Sequence, residues 1–178
     1  MINKKVHKSE ELFFVVDEDD SPMDPLPRRL VHGYGVWHRV SHVWIFDGKG
    51  NILCQQRALI KELNPGMWES FFGGHISPGE SYTDGAVREL AEETGIKLQP
   101  QDFKQEMVYK RQDPRAYNNE FQGIFSITWH GKISDLRFDD GEVEQVKWVP
   151  IKDVLKHLKP GDKSWTFCGY EIDYLNPK

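Results

Sequence analysis

Between Gly74 and Ile96 the chain reads GHISPGESYTDGAVRELAEETGI, and no other stretch restricts the fold as much. Ser81 and Asp84 have the spacing of a helix capping box, and Gly95 supplies a stop after Thr94. Take Glu89 as the zero of a helical wheel at about 100° per residue. Glu92 then falls near roughly −60° and Glu93 near roughly +40°, while Val87, Leu90, Ala91 and Thr94 gather on the opposite side. Such a helix buries an apolar stripe and turns three carboxylates toward one patch. Like charges four residues apart destabilise a bare helix, so the patch calls for a cation. Hard oxygen ligands converging from one rigid element suit Mg²⁺, with Mn²⁺ as the alternative ion. Gly85 costs about 1 kcal/mol relative to Ala inside this helix, so tertiary packing has to hold it.

The rest of the chain reads as strands around this helix. Glu11–Val16 forms a first strand, followed by an acidic, proline-rich loop at Asp17–Pro27. Arg39–Phe46 and Ile52–Arg57 flank the turn at Asp47–Asn51 and form a β-hairpin. Asn64-Pro65-Gly66 turns the chain into a short extended stretch, Met67–Phe72. Phe103–Lys110, Phe121–Trp129 and Val143–Val149 are further strands, with a polar loop at Arg111–Glu120. Pro150–Leu158 is amphipathic and helical, and Trp165–Leu175 fits either a strand or a short helix. This is an α/β layered domain, expected to span residues 1–178 as one unit with an N-terminal extension over 1–35.

Composition bounds the partners. The net charge of −5 carries no basic stripe of the kind a nucleic-acid surface shows, so no nucleic-acid partner is expected. An anionic substrate has to be captured locally, by a metal and a few cations. No apolar run reaches membrane-spanning length, and the basic start MINKKVHKSEELFFVV is too short in its apolar part for a secretory signal. A cytoplasmic protein without a membrane partner is expected, with a homodimer allowed. Cys54 and Cys168 lack metal-site spacing and read as free thiols.

The spacing G-x5-E-x7-R-E-Leu-x-E-E-x-G-Ile resembles the signature of the Nudix hydrolases at every defining position. Seven fixed letters at roughly 7% usage give a chance match on the order of 10⁻⁸ per start. The resemblance implies a Nudix-type α/β/α sandwich with a mixed β-sheet and a loop-helix-loop catalytic motif. It implies Mg²⁺-dependent cleavage of a diphosphate linkage in a small molecule, a nucleoside diphosphate derivative or related organic diphosphate. Glu89, Glu92 and Glu93 would hold the metal with the Gly74 carbonyl. Arg88 would orient a glutamate sideways or form a surface salt bridge, and Glu80 would orient Arg88 or water, or serve as a helix-entry carboxylate. Glu120 is the first candidate for the general base, with Glu142 and Glu144 as alternatives.

A second resemblance runs from His32 to about Phe125. The stretches WHRVSHVWIF, QQRALIKELNPGMW and GGH look like the Nudix branch that contains isopentenyl diphosphate isomerase. It implies that Arg57 and Lys61 bind the diphosphate and that His38, His75 and Glu120 bind metal. His38 also reads as an ordinary core or edge histidine, and His75 as a pocket-lining residue. Trp68, Phe71, Tyr117 and Trp129 could stack on a base, cover a prenyl chain or fill the core. The isomerases' catalytic cysteine, two residues before the second histidine, is Gly73 here. A hydrolase is therefore the first expectation, with an isomerase-type enzyme or a non-catalytic diphosphate sensor as the alternatives.

Overall fold

The computed structural model describes residues 10–61, 63–114, 116–138 and 141–176. The basic start of the chain and Asp139-Asp140 of the acidic DDGEVE stretch lie outside the described residues. In chain order the elements are β1 (Leu12–Phe13), β2 (Leu26–Pro27), α1 (Arg28–Tyr34), β3 (Trp37–Phe46), β4 (Asn51–Arg57), β5 (Trp68–Glu69), α2 (Tyr82–Thr94), β6 (Lys104–Asp113), β7 (Asn118–Thr128), β8 (Val143–Pro150), α3 (Ile151–His157) and α4 (Tyr170–Leu175). Antiparallel ladders dominate, and a parallel bridge joins Trp68 to Trp165. This is an α/β fold with a mixed sheet.

Contacts divide the chain into two compact units. One takes the chain up to His42 with Gly73–Glu89 and Gln99–Phe125; the other takes Val43–Phe72, Leu90–Leu98 and the chain from Ser126. In the first, β7 lies between β3 and β6. The N-terminal strand and the turn before α2 are stitched to β3: Phe14 N–H donates to Ile76 O, Ile76 N–H to Arg39 O, and Arg39 N–H to Phe14 O, each at 3.0 Å. Phe13, Val15 and Val31 form a small core there, with Leu26 and Val36 packed against it. In the second unit β4 pairs with β5 and, over most of its length, with β8. Trp44, Ile45, Ile52 and Leu53 are fully buried in that unit.

Helix α2 lies where the wheel put it. Ser81 and Asp84 cap it reciprocally, with Asp84 N–H donating to Ser81 Oγ at 3.1 Å and Ser81 N–H to Asp84 Oδ2 at 3.4 Å. Two expectations need correction. The loop expected over Asp17–Pro27 ends in β2, which pairs with β1, and residues 28–34 form a helix that went unanticipated. Pro27 fixes its entry and Gly35, at φ 65°, closes it. The polar loop expected over Arg111–Glu120 is shorter, because β6 and β7 extend into it from both ends. The C-terminal stretch resolves into a bridge at Trp165 followed by a short helix.

Candidate catalytic and metal site

Arg88 is the hub of the entry to α2. Its Nε donates to Glu80 Oε1 at 2.7 Å and its Nη2 to Glu80 Oε2 at 2.9 Å, while Nη1 reaches Glu89 Oε1 at 2.7 Å. Nη2 also donates to the His75 carbonyl at 2.9 Å. One planar fork therefore fixes the turn, its acid and the first helix carboxylate together. The bonds from Arg88, joined by the Ser77 N–H, outweigh burial and hold the Glu80 carboxyl below its ordinary range. Arg88 thus contacts both Glu89 and Glu80, the two carboxylates it could reach from the sequence.

Glu89 is only 9% exposed. It lies against Gly74, where an added Cβ would stand 2.4 Å from Glu89 Oε2. The glycine is thus the space in which the carboxylate sits. Glu93 is half-buried and Glu92 exposed on the same helix, so the carboxylate face runs from interior to solvent. The Gly74 carbonyl accepts the Ser41 N–H at 2.9 Å, which uses one of its two lone pairs and leaves the other for a cation.

A second cluster fills the same unit. His32 on α1, His38 on β3 and His75 in the turn before α2 bring one ring nitrogen each within 4.8 Å of one another. Their rings surround Phe13, on which His75 stacks at 3.8 Å between centroids. His38 is fully buried. Its Nδ1 lies 2.9 Å from the Val36 carbonyl, which can only accept, so Nδ1 carries the proton and Nε2 presents a lone pair. That Nε2 and the Nε2 of His32 are buried without a hydrogen-bond partner. Burial, then the charges of His38 and Arg28, lower His32 to about 4, and burial likewise lowers His38. Neutral imidazoles with bare nitrogens are the form that binds a metal.

Glu120 stands beside this cluster, its Oε1 4.0 Å from His38 Nε2. Asn118 Nδ2 donates to one oxygen and Gln122 Nε2 to the other, each at 2.6 Å, and Arg111 Nη1 lies 3.6 Å away. Burial opposes charge on Glu120, and as pH falls the protonated forms of His38 and His42, with the two amides, outweigh it. The carboxyl therefore titrates below its ordinary range. A carboxylate held ionised is a better metal ligand than proton store. The four residues fit a divalent ion with a borderline, nitrogen-rich donor set.

Arg57 and Lys61 are not free cations. Arg57 Nη1 lies 2.9 Å from both oxygens of buried Glu69, and its Nε donates to the Leu63 carbonyl at 3.0 Å. Lys61 pairs with the half-buried Glu142, and Glu144 is exposed on β8. Trp68 carries Lys147 over its face at 3.8 Å and stacks on Trp165, Phe71 is core, and Tyr117 is exposed. Sequence reasoning missed His32 as a cluster member, Arg28 beside His75, and the amides of Asn118 and Gln122. The histidine spacing HGYGVWH was the available signal, but it gained meaning only with α1 in place.

A family model described as NUDIX domain matches residues 36–167. Nudix hydrolase 3 of Arabidopsis thaliana is 35% identical over 146 residues, covering 78% of this chain. The chain spans only 19% of that protein's length. An isopentenyl-diphosphate Delta-isomerase of Burkholderia multivorans is 31% identical, with 88% of each chain covered. A crystal structure from Deinococcus radiodurans superposes with a TM-score of 0.69, covering 93% of this chain and 97% of that one, at 16% identity. At that identity the likeness speaks for the fold alone.

Proposed function

The chain belongs to the Nudix family, and from that premise we propose that it is a divalent-metal-dependent hydrolase of a diphosphate linkage. The substrate class is a nucleoside diphosphate derivative or a related small organic diphosphate. The observation that carries the reading is the Arg88 fork, which presents Glu89 at the head of an intact carboxylate face. Glu89, Glu92, Glu93 and the Gly74 carbonyl would hold Mg²⁺ or Mn²⁺. A divalent ion there neutralises phosphate oxygens and lowers the pKa of a bound water. Glu80 and Arg88 keep Glu89 aimed, and Gly74 leaves it room. His32, His38, His75 and Glu120 would hold a second ion. The proposal extends to a cytoplasmic protein, monomeric or homodimeric, acting without nucleic-acid or membrane partners. No helix among the described residues is long and apolar enough to cross a membrane.

The isomerase reading is favoured by the histidine cluster and by the Burkholderia relative. Gly73 opposes it. At that position an added Cβ would lie 1.9 Å from the Ser41 carbonyl oxygen, at a φ of 144°. A cysteine cannot enter without moving β3. Cys54 offers no replacement, since it is buried and burial pushes its thiol up. Nucleoside triphosphates, dinucleoside polyphosphates, nucleotide sugars and prenyl diphosphates, each assayed with Mg²⁺ and with chelator, test the reading. Chelator-sensitive release of phosphate or a monophosphate is expected from at least one. Silence across the set with a folded protein contradicts it.

A further inference from the structure

Arg28 opens α1 with its Nη1 3.4 Å from His75 Nδ1. Its guanidinium carbon lies 5.5 Å from the centroid of Phe13, the ring on which His75 stacks. An arginine nitrogen only donates, so His75 Nδ1 is the acceptor and the neutral ring carries its proton at Nε2. His75 has two ways to bind a metal. Through Nδ1, the ion needs the lone pair that Arg28 uses. Through Nε2, the ring proton has to sit at Nδ1, where an N–H would then face an N–H of Arg28. In either case the Arg28–His75 bond and a metal at His75 exclude each other.

We propose that Arg28 gates metal entry to the histidine cluster: it holds His75 as a resident cation, and an ion loads only as Arg28 lets go. This rests on the reading of His32, His38 and His75 as metal ligands. The released guanidinium has somewhere to go, because Arg28 is one-third exposed and Glu11 Oε2 lies 3.9 Å from the same Nη1 on the outer side. Its positive charge also disfavours a second cation at His32 and His38, so breaking the bond and removing the charge act in one direction.

The test is a Co²⁺ titration of the full chain, followed by the visible absorption that imidazole-bound cobalt shows. Arg29→Gln is the control. It makes the same change in net charge on the same helix, but Arg29 pairs with Glu10 at 2.8 Å. Arg28→Gln should bind Co²⁺ about tenfold more tightly than wild type, the size of one lost competing hydrogen bond. Arg29→Gln should stay within about twofold, since exposed charges are screened. Arg28→Lys, which keeps charge with a different reach, should fall between, and far-UV circular dichroism checks each fold. Unchanged or weaker binding in Arg28→Gln overturns the gate, as does equal tightening in Arg29→Gln. Absence of the imidazole–cobalt band from every form overturns the gate together with the metal reading of the cluster. The hydrolase reading is judged separately, by turnover with Mg²⁺.

Discussion

At Gly73 the backbone allows no side chain. A Cβ 1.9 Å from the Ser41 oxygen cannot be absorbed by a rotamer, because the obstacle is main chain. Gly73→Cys should cost about 3–5 kcal/mol in urea unfolding and gain no isomerase activity. A variant as stable as wild type would show that the turn relaxes freely. Glu93→Gln should keep its melting temperature, since the side chain lies off the apolar stripe, and lose turnover by orders of magnitude. Near-normal turnover would remove Glu93 from the metal site. The contacts among Arg88, Glu80 and Glu89 were legible because spacing on one turn and one helix determines which of them can meet. The ion pairs of Arg57 and Lys61 were not. Their partners Glu69 and Glu142 lie 12 and 81 residues away, and a cation's partner across β4 leaves no trace in its own neighbourhood.

Helix α2 was readable end to end because its cap, its stripe and its stop agree, so local preference and tertiary packing ask for the same structure. Helix α1 was not, because its seven residues carry a glycine at position 33 and follow a proline-rich loop; composition suggested coil, and packing of Val31 into the Phe13 core decided otherwise. Missing α1 also hid His32 and Arg28. Arg88→Lys, losing the fork that ties Glu80, Glu89 and the His75 carbonyl, should lower turnover about 10- to 100-fold with a smaller loss of stability. A loss of stability alone would make Arg88 structural. Arg57→Ala strands the buried Glu69, whose carboxyl burial already raises above its ordinary range. It should destabilise by about 3–5 kcal/mol; a rise in KM with unchanged stability would restore Arg57 to phosphate binding.

For the whole molecule, the half-buried His32 and the buried His38 set an acid limit. His32 titrates near 4 and His38 is also depressed, below the roughly 6.5 of an unfolded histidine. The unfolded chain thus binds more protons between those values, and stability present above about 6.5 is lost as pH falls toward 4. Glu69 and Glu171 are raised by burial and act in the opposite sense, so the histidine effect is isolated by comparison. The melting temperature of His32→Gln should fall less than that of wild type between pH 7 and 4.5; equal falls would mean His32 is not buried neutral. In the proposed reaction water attacks phosphorus with metal assistance, and the histidine cluster takes no part in isomerisation. The most direct test is phosphorus NMR of reactions run in ¹⁸O-water, with substrates that include isopentenyl diphosphate, with and without chelator. The prediction is a metal-dependent, isotope-shifted phosphate signal from at least one diphosphate compound and no allylic isomer. Conversion of isopentenyl diphosphate to that isomer, with no labelled phosphorus from any substrate, would contradict it.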